Sequence, residues 1–296
     1  MLLFLAVAGA IGFYVLTVPS TIAASALAAH TPNLANGETM FNAGGCASCH
    51  ATPGQEDKTR LGGGLALHSP FGTFKAPNIS SDATHGIGAW SELEFVNAML
   101  RGVGRRGEHL YPSFPYTSYQ RMSIADVRDL YAFMRTLPAD ATPSPHHELP
   151  FPFNVRRGVG LWKLAFVDGK TFTPDPNRDA AHNRGAYLVE GLGHCVECHS
   201  TRNAVGAIAE DRRFAGGPDP EGKGWAGNLT PHEDGLAKWS QGDIAYLLES
   251  GFTPEYDSVG SSMAHVVANT AKLSAEDRGA MAAYLKALPP RPGKAP

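Results

Sequence analysis

Two five-residue motifs contain every cysteine of the chain and indicate its chemistry. They are Cys46-Ala47-Ser48-Cys49-His50 and Cys195-Val196-Glu197-Cys198-His199. Two thiols separated by two residues on the first turn of a helix can each form a thioether to a haem vinyl group, and the adjacent histidine can coordinate the iron. The sequence therefore predicts two covalently bound haem c groups, attached through the four cysteines, with His50 and His199 as the proximal iron ligands.

Zinc binding and a disulfide are the two other interpretations of a Cys-x-x-Cys motif. A compact zinc site draws its ligand pairs from within roughly a few tens of residues, whereas the first cysteines of these motifs stand 149 residues apart. Neither zinc nor a disulfide accounts for a histidine directly after the second cysteine in both motifs. Haem attachment is the interpretation that fits both.

Aligning the two motifs shows that the sequence around them repeats. In each half a tryptophan precedes an amphipathic segment that ends at glycine, which predicts a helix over 92–101 and another over 241–249. A serine with acidic residues after it opens a further helix in each half, at Ser123 and at Ser274. The other matched segments are Asn78-Ile79-Ser80 with Asn228-Leu229-Thr230 and Trp90-Ser91 with Trp239-Ser240.

This order of elements predicts the fold class. A helix that carries the motif, a middle helix and a last helix, joined by loops, resemble the plan of a class I cytochrome c domain. We therefore expect an all-α protein with two tandem class I cytochrome c domains, over residues 33–140 and 179–290. The segment 141–178 between them is rich in proline but too apolar for a free tether, so we expect it to pack across both domains.

The first residues of the chain are strongly apolar. Residues 2–18 carry no charge and are followed by Pro19, and a helix of this length reaches roughly 25 Å, near the lower limit for a bilayer. The fold prediction therefore places an N-terminal transmembrane helix ahead of the two domains, with residues 1–29 as a membrane anchor. A signal segment cleaved at Ala26-Leu27-Ala28 is the alternative, and either form places the rest of the chain outside the cytoplasm.

The charge balance limits the partners. The chain has 25 Lys and Arg against 28 Asp and Glu, a formal net charge of -3, and no polybasic run. Nucleic acid is therefore not an expected partner. So weak a net charge favours docking of a partner protein through a local apolar patch or a permanent interface rather than long-range electrostatic steering.

The two halves differ in the residue that is expected to complete the coordination of the iron. A haem that only exchanges electrons commonly takes methionine as its sixth ligand. In the second half Met263, in the loop before the last helix, is the predicted ligand. In the first half Phe114 stands where methionine is expected and cannot coordinate iron, so Met122 is the predicted ligand, with His109 or an open position as alternatives.

Several segments of the first half resemble a known family. Cytochrome c subunits of periplasmic, membrane-bound alcohol, gluconate and aldehyde dehydrogenases share such segments, and the resemblance runs from about residue 33 to 290. Better-known members have three haem motifs and Met-Pro-Tyr where this chain has Phe114-Pro115-Tyr116, and the third motif is absent here. The segments that carry the resemblance are Ala76-Pro77-Asn78-Ile79-Ser80, Gly86-Ile87-Gly88-Ala89-Trp90-Ser91 and His109-Leu110-Tyr111-Pro112-Ser113-Phe114-Pro115-Tyr116.

The resemblance implies a function and partners. Subunits of this family accept electrons from a catalytic dehydrogenase subunit that carries a quinone, flavin or molybdenum cofactor. They pass the electrons to quinone, a terminal oxidase or another cytochrome at the periplasmic face of the bacterial inner membrane. The predicted function is therefore a dihaem c-type cytochrome that relays electrons from such a dehydrogenase to the respiratory chain and has no catalytic activity alone.

Two other functions remain open at this stage. One is a dihaem enzyme of the peroxidase or thiosulfate-oxidising type, which would use an open or labile position on the first haem. Phe114 favours this alternative, because phenylalanine stands where methionine is expected and cannot coordinate iron. The other is a soluble shuttle between complexes, which would follow if the first 28 residues were removed.

Overall fold

The computed structural model describes residues 1–219, 224–293 and 295, and in these ranges the chain is mainly helical. Two short antiparallel ribbons add to the all-α fold that the sequence predicts: β1 (Ala66–Ser69) with β2 (Gly72–Lys75), and β3 (Gly217–Pro218) with β4 (Trp225–Ala226). The α-helices are α1 (Leu2–Leu16), α2 (Leu34–Ala43), α3 (Cys46–His50), α4 (Glu92–Arg101), α5 (Tyr116–Tyr119), α6 (Ile124–Met134), α7 (Val159–Phe166), α8 (Ala180–Tyr187), α9 (Gln241–Ser250), α10 (Ser261–Thr270) and α11 (Ala275–Lys286).

The helices of the two halves pack in the same way. α2 packs on α6 in the first half and α8 packs on α11 in the second, while α4 and α9 pack against the same last helices. A Cβ atom on Gly37 would collide with the carbonyl oxygen of Asp129, and one on Gly185 would collide with that of Ala280. Glycine at these two positions therefore lets each first helix approach its last helix closely.

The predicted middle and last helices are confirmed. α4 begins and ends at the predicted residues, and α9 runs one residue further than predicted. The hydroxyl oxygens of Ser123 and Ser274 accept hydrogen bonds at 3.0 Å from the backbone N–H groups of Asp126 and Asp277, as N-cap serines do. Each cap fixes the start of a last helix whose inner face lies in the buried core.

The predicted N-terminal transmembrane helix is wrong. α1 has 15 residues, so its length of about 22 Å falls short of the roughly 30 Å hydrocarbon core of a bilayer. In the part of the chain that the structure describes, no helix is both long and apolar enough to cross a membrane. The helix ends where Thr17 becomes fully buried and its carbonyl oxygen accepts a hydrogen bond from Nε2 of His109 at 2.8 Å.

Residues 141–178 contact both halves of the chain. Two side chains of α7, which lies in this segment, make polar contacts with the two halves. The ammonium group of Lys163 donates to the carbonyl oxygen of Arg101 at 2.8 Å in the first half. The indole N–H of Trp162 donates to the carbonyl oxygen of Val205 at 3.0 Å in the second half. The segment thus lies against the surface of both halves rather than extending into solvent.

Candidate haem sites

The first motif forms a short helix of its own. α3 begins directly after Gly45, whose φ of 57° lies in the left-handed region that suits glycine. Cys46 and Cys49 stand three residues apart on this turn and therefore lie on the same face of the helix. Both side chains are partly exposed, so the structure leaves them accessible for attachment of a haem.

The second motif has a different local backbone. Cys195–Glu197 form a single 3-10 turn instead of an α-helix. His194 occupies the position before the motif and has a φ of 39°, in the left-handed region that glycine occupies in the first half. A side chain in this region costs free energy. A hydrogen bond to the first half offsets this cost in free energy. Nε2 of His194 donates to the carbonyl oxygen of Gly44 at 3.3 Å.

The histidines of the two motifs are held alike. Nδ1 of His50 lies 2.8 Å from the carbonyl oxygen of Pro77, and Nδ1 of His199 lies 2.6 Å from that of Gly227. Because a carbonyl oxygen can only accept, Nδ1 carries the proton and Nε2 keeps its lone pair for a metal. Desolvation lowers the pKa of both imidazoles, which favours the neutral form. Both histidines fit the role of proximal iron ligand.

The structure also bears on the two other interpretations of the motifs. No disulfide joins any of the four cysteines, all of which lie in the described ranges. Among the described residues, no group of three or more His, Cys, Asp or Glu side chains is arranged to hold a metal ion. Desolvation raises the pKa of Cys46 and of Cys195 to about 12. Within the described residues the motifs thus form neither a disulfide nor a group of metal-binding side chains.

Four matched positions in each half lie at the edge of the buried core. In both halves they are the first cysteine of the motif, an aliphatic residue, a tryptophan and a residue of the segment before the last helix. All are partly exposed and pack against the core, as expected for side chains beside a large apolar cofactor. They are Cys46, Ile79, Trp90 and Phe114 in the first half and Cys195, Leu229, Trp239 and Met263 in the second.

The candidate sixth ligands lie in different surroundings. Met263 lies on the first turn of α10, at the edge of the core. Met122 is completely buried and directly precedes the N-cap Ser123. His109 is also buried, and its Nε2 donates to the carbonyl oxygen of Thr17 while its Nδ1 has no partner among the described protein atoms. Met263 and Met122 as iron ligands stay predictions.

Each motif accepts a hydrogen bond from a helix of the other half of the chain. Asn269, at the end of α10, donates to the hydroxyl oxygen of Ser48 in the first motif at 2.8 Å. Ser118, in α5, donates to the carboxylate of Glu197 in the second motif at 3.2 Å. Ser48 and Glu197 hold the same place in their motifs, between the two cysteines. Each half thus reaches across to the other half's attachment motif at the same place.

An aromatic contact lies beside these two hydrogen bonds. We call this contact region between the halves the junction, and it is formed by Ser48, Ser118, Tyr119, His194, Glu197 and Asn269. The rings of Tyr119 and His194 meet nearly edge to face, with centroids 5.7 Å apart. The hydroxyl of Tyr119 donates to the carbonyl oxygen of Gly44 at 3.5 Å, close to the bond from His194. These contacts connect the residues just before each motif, so the two attachment sites are neighbours in the folded chain.

Sequence reasoning missed the residues of this junction. Their types carry no chemical signature, because asparagine, serine and tyrosine side chains serve many structural roles. The repeat contained one signal: Ser118 and Asn269 occupy matched positions before the N-cap serines of the last helices. Contacts between residues 221 positions apart, as for Asn269 and Ser48, do not follow from spacing alone.

Comparison with known proteins agrees with the two haem motifs. A family model described as cytochrome c matches residues 34–138. A relative from Cereibacter sphaeroides described as "Diheme cytochrome c-type" is 48% identical over 285 residues, which cover 96% of this chain and 95% of the relative. This relative therefore matches the whole two-motif arrangement and not one half of it.

Subunits of dehydrogenases are also similar to this chain. The fructose dehydrogenase cytochrome subunit of Gluconobacter japonicus is 36% identical over 265 residues, 88% of this chain and 54% of the relative. The gluconate 2-dehydrogenase cytochrome c subunit of Pantoea cypripedii is 35% identical over 283 residues, 92% of this chain and 64% of the relative. The chain thus spans between half and two thirds of the length of these two subunits. Together, the motifs and these relatives establish two covalently bound haem c groups as the cofactors.

Proposed function

The chain belongs to the dihaem c-type cytochromes, and we propose that it relays electrons from a periplasmic dehydrogenase subunit to an acceptor of the respiratory chain. Electron transfer is the role common to the cytochrome subunits that resemble it. Those relatives are named for fructose, alcohol and gluconate dehydrogenases. The dehydrogenase partner, its substrate and the acceptor are assigned to this chain by that similarity.

In this proposal the motif residues hold the haems, and each haem supplies one-electron exchange at its iron. His50 and His199 would hold the iron through Nε2, and the carbonyl oxygens of Pro77 and Gly227 fix the orientation of each ring. Met263 would supply a further ligand to the second haem. The attachment residues are Cys46, Cys49, Cys195 and Cys198, and the two haem-binding domains are residues 33–140 and 179–290, with 141–178 as a packed linker.

One observation carries the relay proposal: each attachment motif is bonded to the other half of the chain. The bonds from Asn269 to Ser48 and from Ser118 to Glu197 join the two halves at the motifs. Two haems attached at adjoining motifs can exchange electrons inside one molecule without a diffusing carrier. The protein contributes position, burial and ligands, which set the reduction potentials.

The partners follow from the same proposal. The donor is a catalytic subunit with a quinone, flavin or molybdenum cofactor, and the acceptor is quinone, a terminal oxidase or another cytochrome. The site of action is the periplasmic side of the inner membrane, where haem is attached to Cys-x-x-Cys-His motifs. A formal net charge of only -3 favours a lasting interface with the donor over electrostatic steering.

The donor side is tested by purifying the chain in its native complex. We expect a dehydrogenase subunit with one of these cofactors to copurify, and its substrate to reduce both haems. A complex in which no dehydrogenase substrate reduces either haem would contradict the proposal. Haem content measured as the pyridine haemochrome shows that a negative result does not come from missing haem.

The relay itself is tested by changing the junction. We expect Asn269→Ala to slow electron equilibration between the haems severalfold after flash reduction, because it loosens the contact with Ser48. Asn177→Ala is the matched control, because Asn177 is exposed and its side chain bonds only to Asp175 of the same loop. Equal rates in the two variants would show that the junction does not carry the transfer.

The enzyme alternative rests on the first haem. Phe114, at the position of Met263, is the observation that favours it. Turnover of peroxide or oxidation of thiosulfate by the isolated dihaem protein would support that alternative over a pure relay. Under our proposal neither reaction is faster than the reduction of the haems by the dehydrogenase substrate in the complex.

A further inference from the structure

The distal position of the second half has a clear counterpart in the first. In both halves an N–H group of the loop bonds back to the glycine after the middle helix: Leu110 to Gly102 at 2.7 Å, and Val259 to Gly251 at 2.9 Å. Four residues further on stand Phe114 and Met263, both partly exposed against the core. Phe114 therefore occupies the place of the predicted sulfur ligand.

Met122 has a different counterpart. Its N–H bonds to the carbonyl oxygen of Tyr119 at 2.9 Å, just as the N–H of Leu273 bonds to that of Thr270 at 3.0 Å. Both residues directly precede the N-cap serine of a last helix, and both are buried in the core. A leucine cannot bind iron, so this position serves core packing in the second half, and Met122 has the surroundings of the same core position.

His109 does not correspond to the predicted ligand Met263 either. Its counterpart is Ser258, because the bridge of Val103 with His109 repeats as that of Phe252 with Ser258. The ring lies between Thr17 and Gly160 of α7, where a Cβ on Gly160 would approach Nε2 within 2.8 Å. Nε2 is engaged with Thr17. The ring thus joins the N-terminal segment and α7 to the loop.

From these correspondences we propose that the first haem has no side chain as sixth ligand, and that its iron binds small uncharged diatomic molecules such as carbon monoxide. The inference rests on the proposed function only through its haems and the assignment of Met263. Phe114 lies against the rings of Tyr119 and Tyr116, with centroid distances of 5.4 Å and 6.4 Å. Aromatic rings at this position favour a small apolar ligand.

Carbon monoxide titration of the dithionite-reduced full-length protein tests the inference. We expect one carbon monoxide per two haems, and a mixed high-spin and low-spin electron paramagnetic resonance spectrum of the oxidised protein. Met122→Leu copies the second half at this position and should leave both results unchanged. Binding of no carbon monoxide by the unaltered protein, together with two low-spin haems, would overturn the inference.

Further variants identify the haem that binds. Phe114→Met should lower the stoichiometry from one to zero, and Met263→Leu should raise it from one to two. A gain of carbon monoxide binding in Met122→Leu, where the unaltered protein binds none, would instead identify Met122 as the ligand. The same gain in His109→Ala would identify His109.

The controls separate this inference from the relay. Pyridine haemochrome content reports whether each variant still carries two haems. Electron equilibration between the haems, measured separately, can fail while carbon monoxide still binds, and the reverse can also occur. A failure of the relay is therefore distinguishable from a failure of the inference.

Discussion

The two halves of the chain hold their motif histidines in the same way and differ at the position of the predicted sixth ligand. The motif histidines bond to backbone carbonyl oxygens 27 and 28 residues further along. On the distal side one half presents Met263 and the other Phe114 at matched positions. The comparison teaches that the motif and its histidine are contained in five contiguous residues, while the predicted sixth ligand depends on a single position that differs between the halves.

The largest expected effect comes from removing one attachment motif. In Cys46→Ser/Cys49→Ser we expect covalent haem to fall from two to one per chain, because a hydroxyl does not form the thioether. Mass spectrometry and pyridine haemochrome content measure this loss. The mirror variant Cys195→Ser/Cys198→Ser should lose the other haem. Two haems retained in either variant would contradict attachment at that motif.

A smaller effect is expected at the distal position. Methionine ligation raises the reduction potential of a c-type haem. We expect Met263→Leu to lower the potential of one haem by on the order of 0.1 V, within the roughly 0.8 V range that axial ligands span. Phe114→Leu is the matched change in the first half and should leave both potentials near their original values. Potentiometric titration measures both, and an equal shift in the two variants would remove the distinction between the halves.

The smallest expected effect concerns acid stability, where the halves also differ. The side-chain amides of Asn78 and Asn228 donate to the carbonyl oxygens of Asp140 and Arg291, at 2.7 Å and 2.8 Å. Hydrogen bonds from Thr142 lower the pKa of the Asp140 carboxyl. A lowered pKa stabilises the fold at pH values above the unfolded value near 3.9, and this contribution is lost as the pH falls through the folded value.

Asp140→Asn should therefore destabilise the protein by about 1 kcal/mol near neutral pH. The difference from the unaltered protein should shrink below about pH 4. Thermal unfolding over a pH series measures it, with Arg291→Gln as the variant of the other half, for which no such convergence is expected. A difference that stays constant from neutral to acid pH would show that the carboxyl of Asp140 is not the cause.

Local patterns predicted much of the helical structure. The middle helices and the N-cap serines were found from the repeat because capping, helix ends and apolar periodicity act over a few neighbouring residues. The transmembrane prediction failed because local hydropathy does not reveal contacts between residues far apart in the chain. Hydropathy marks residues 2–18 as apolar but does not show that Thr17 is buried against His109, a contact across 92 positions that accompanies the end of the helix.

The sequence by itself determined the cofactor, since two thiols and an imidazole within five residues need no distant partner to form a haem attachment site. Only the tertiary structure decided which residues pack around the attachment motifs. The contact of Asn269 with Ser48, the burial of Met122 in the core and the place of Phe114 all depend on segments brought together by folding. Such contacts arise from packing between helices far apart in the chain, which spacing along the sequence does not encode.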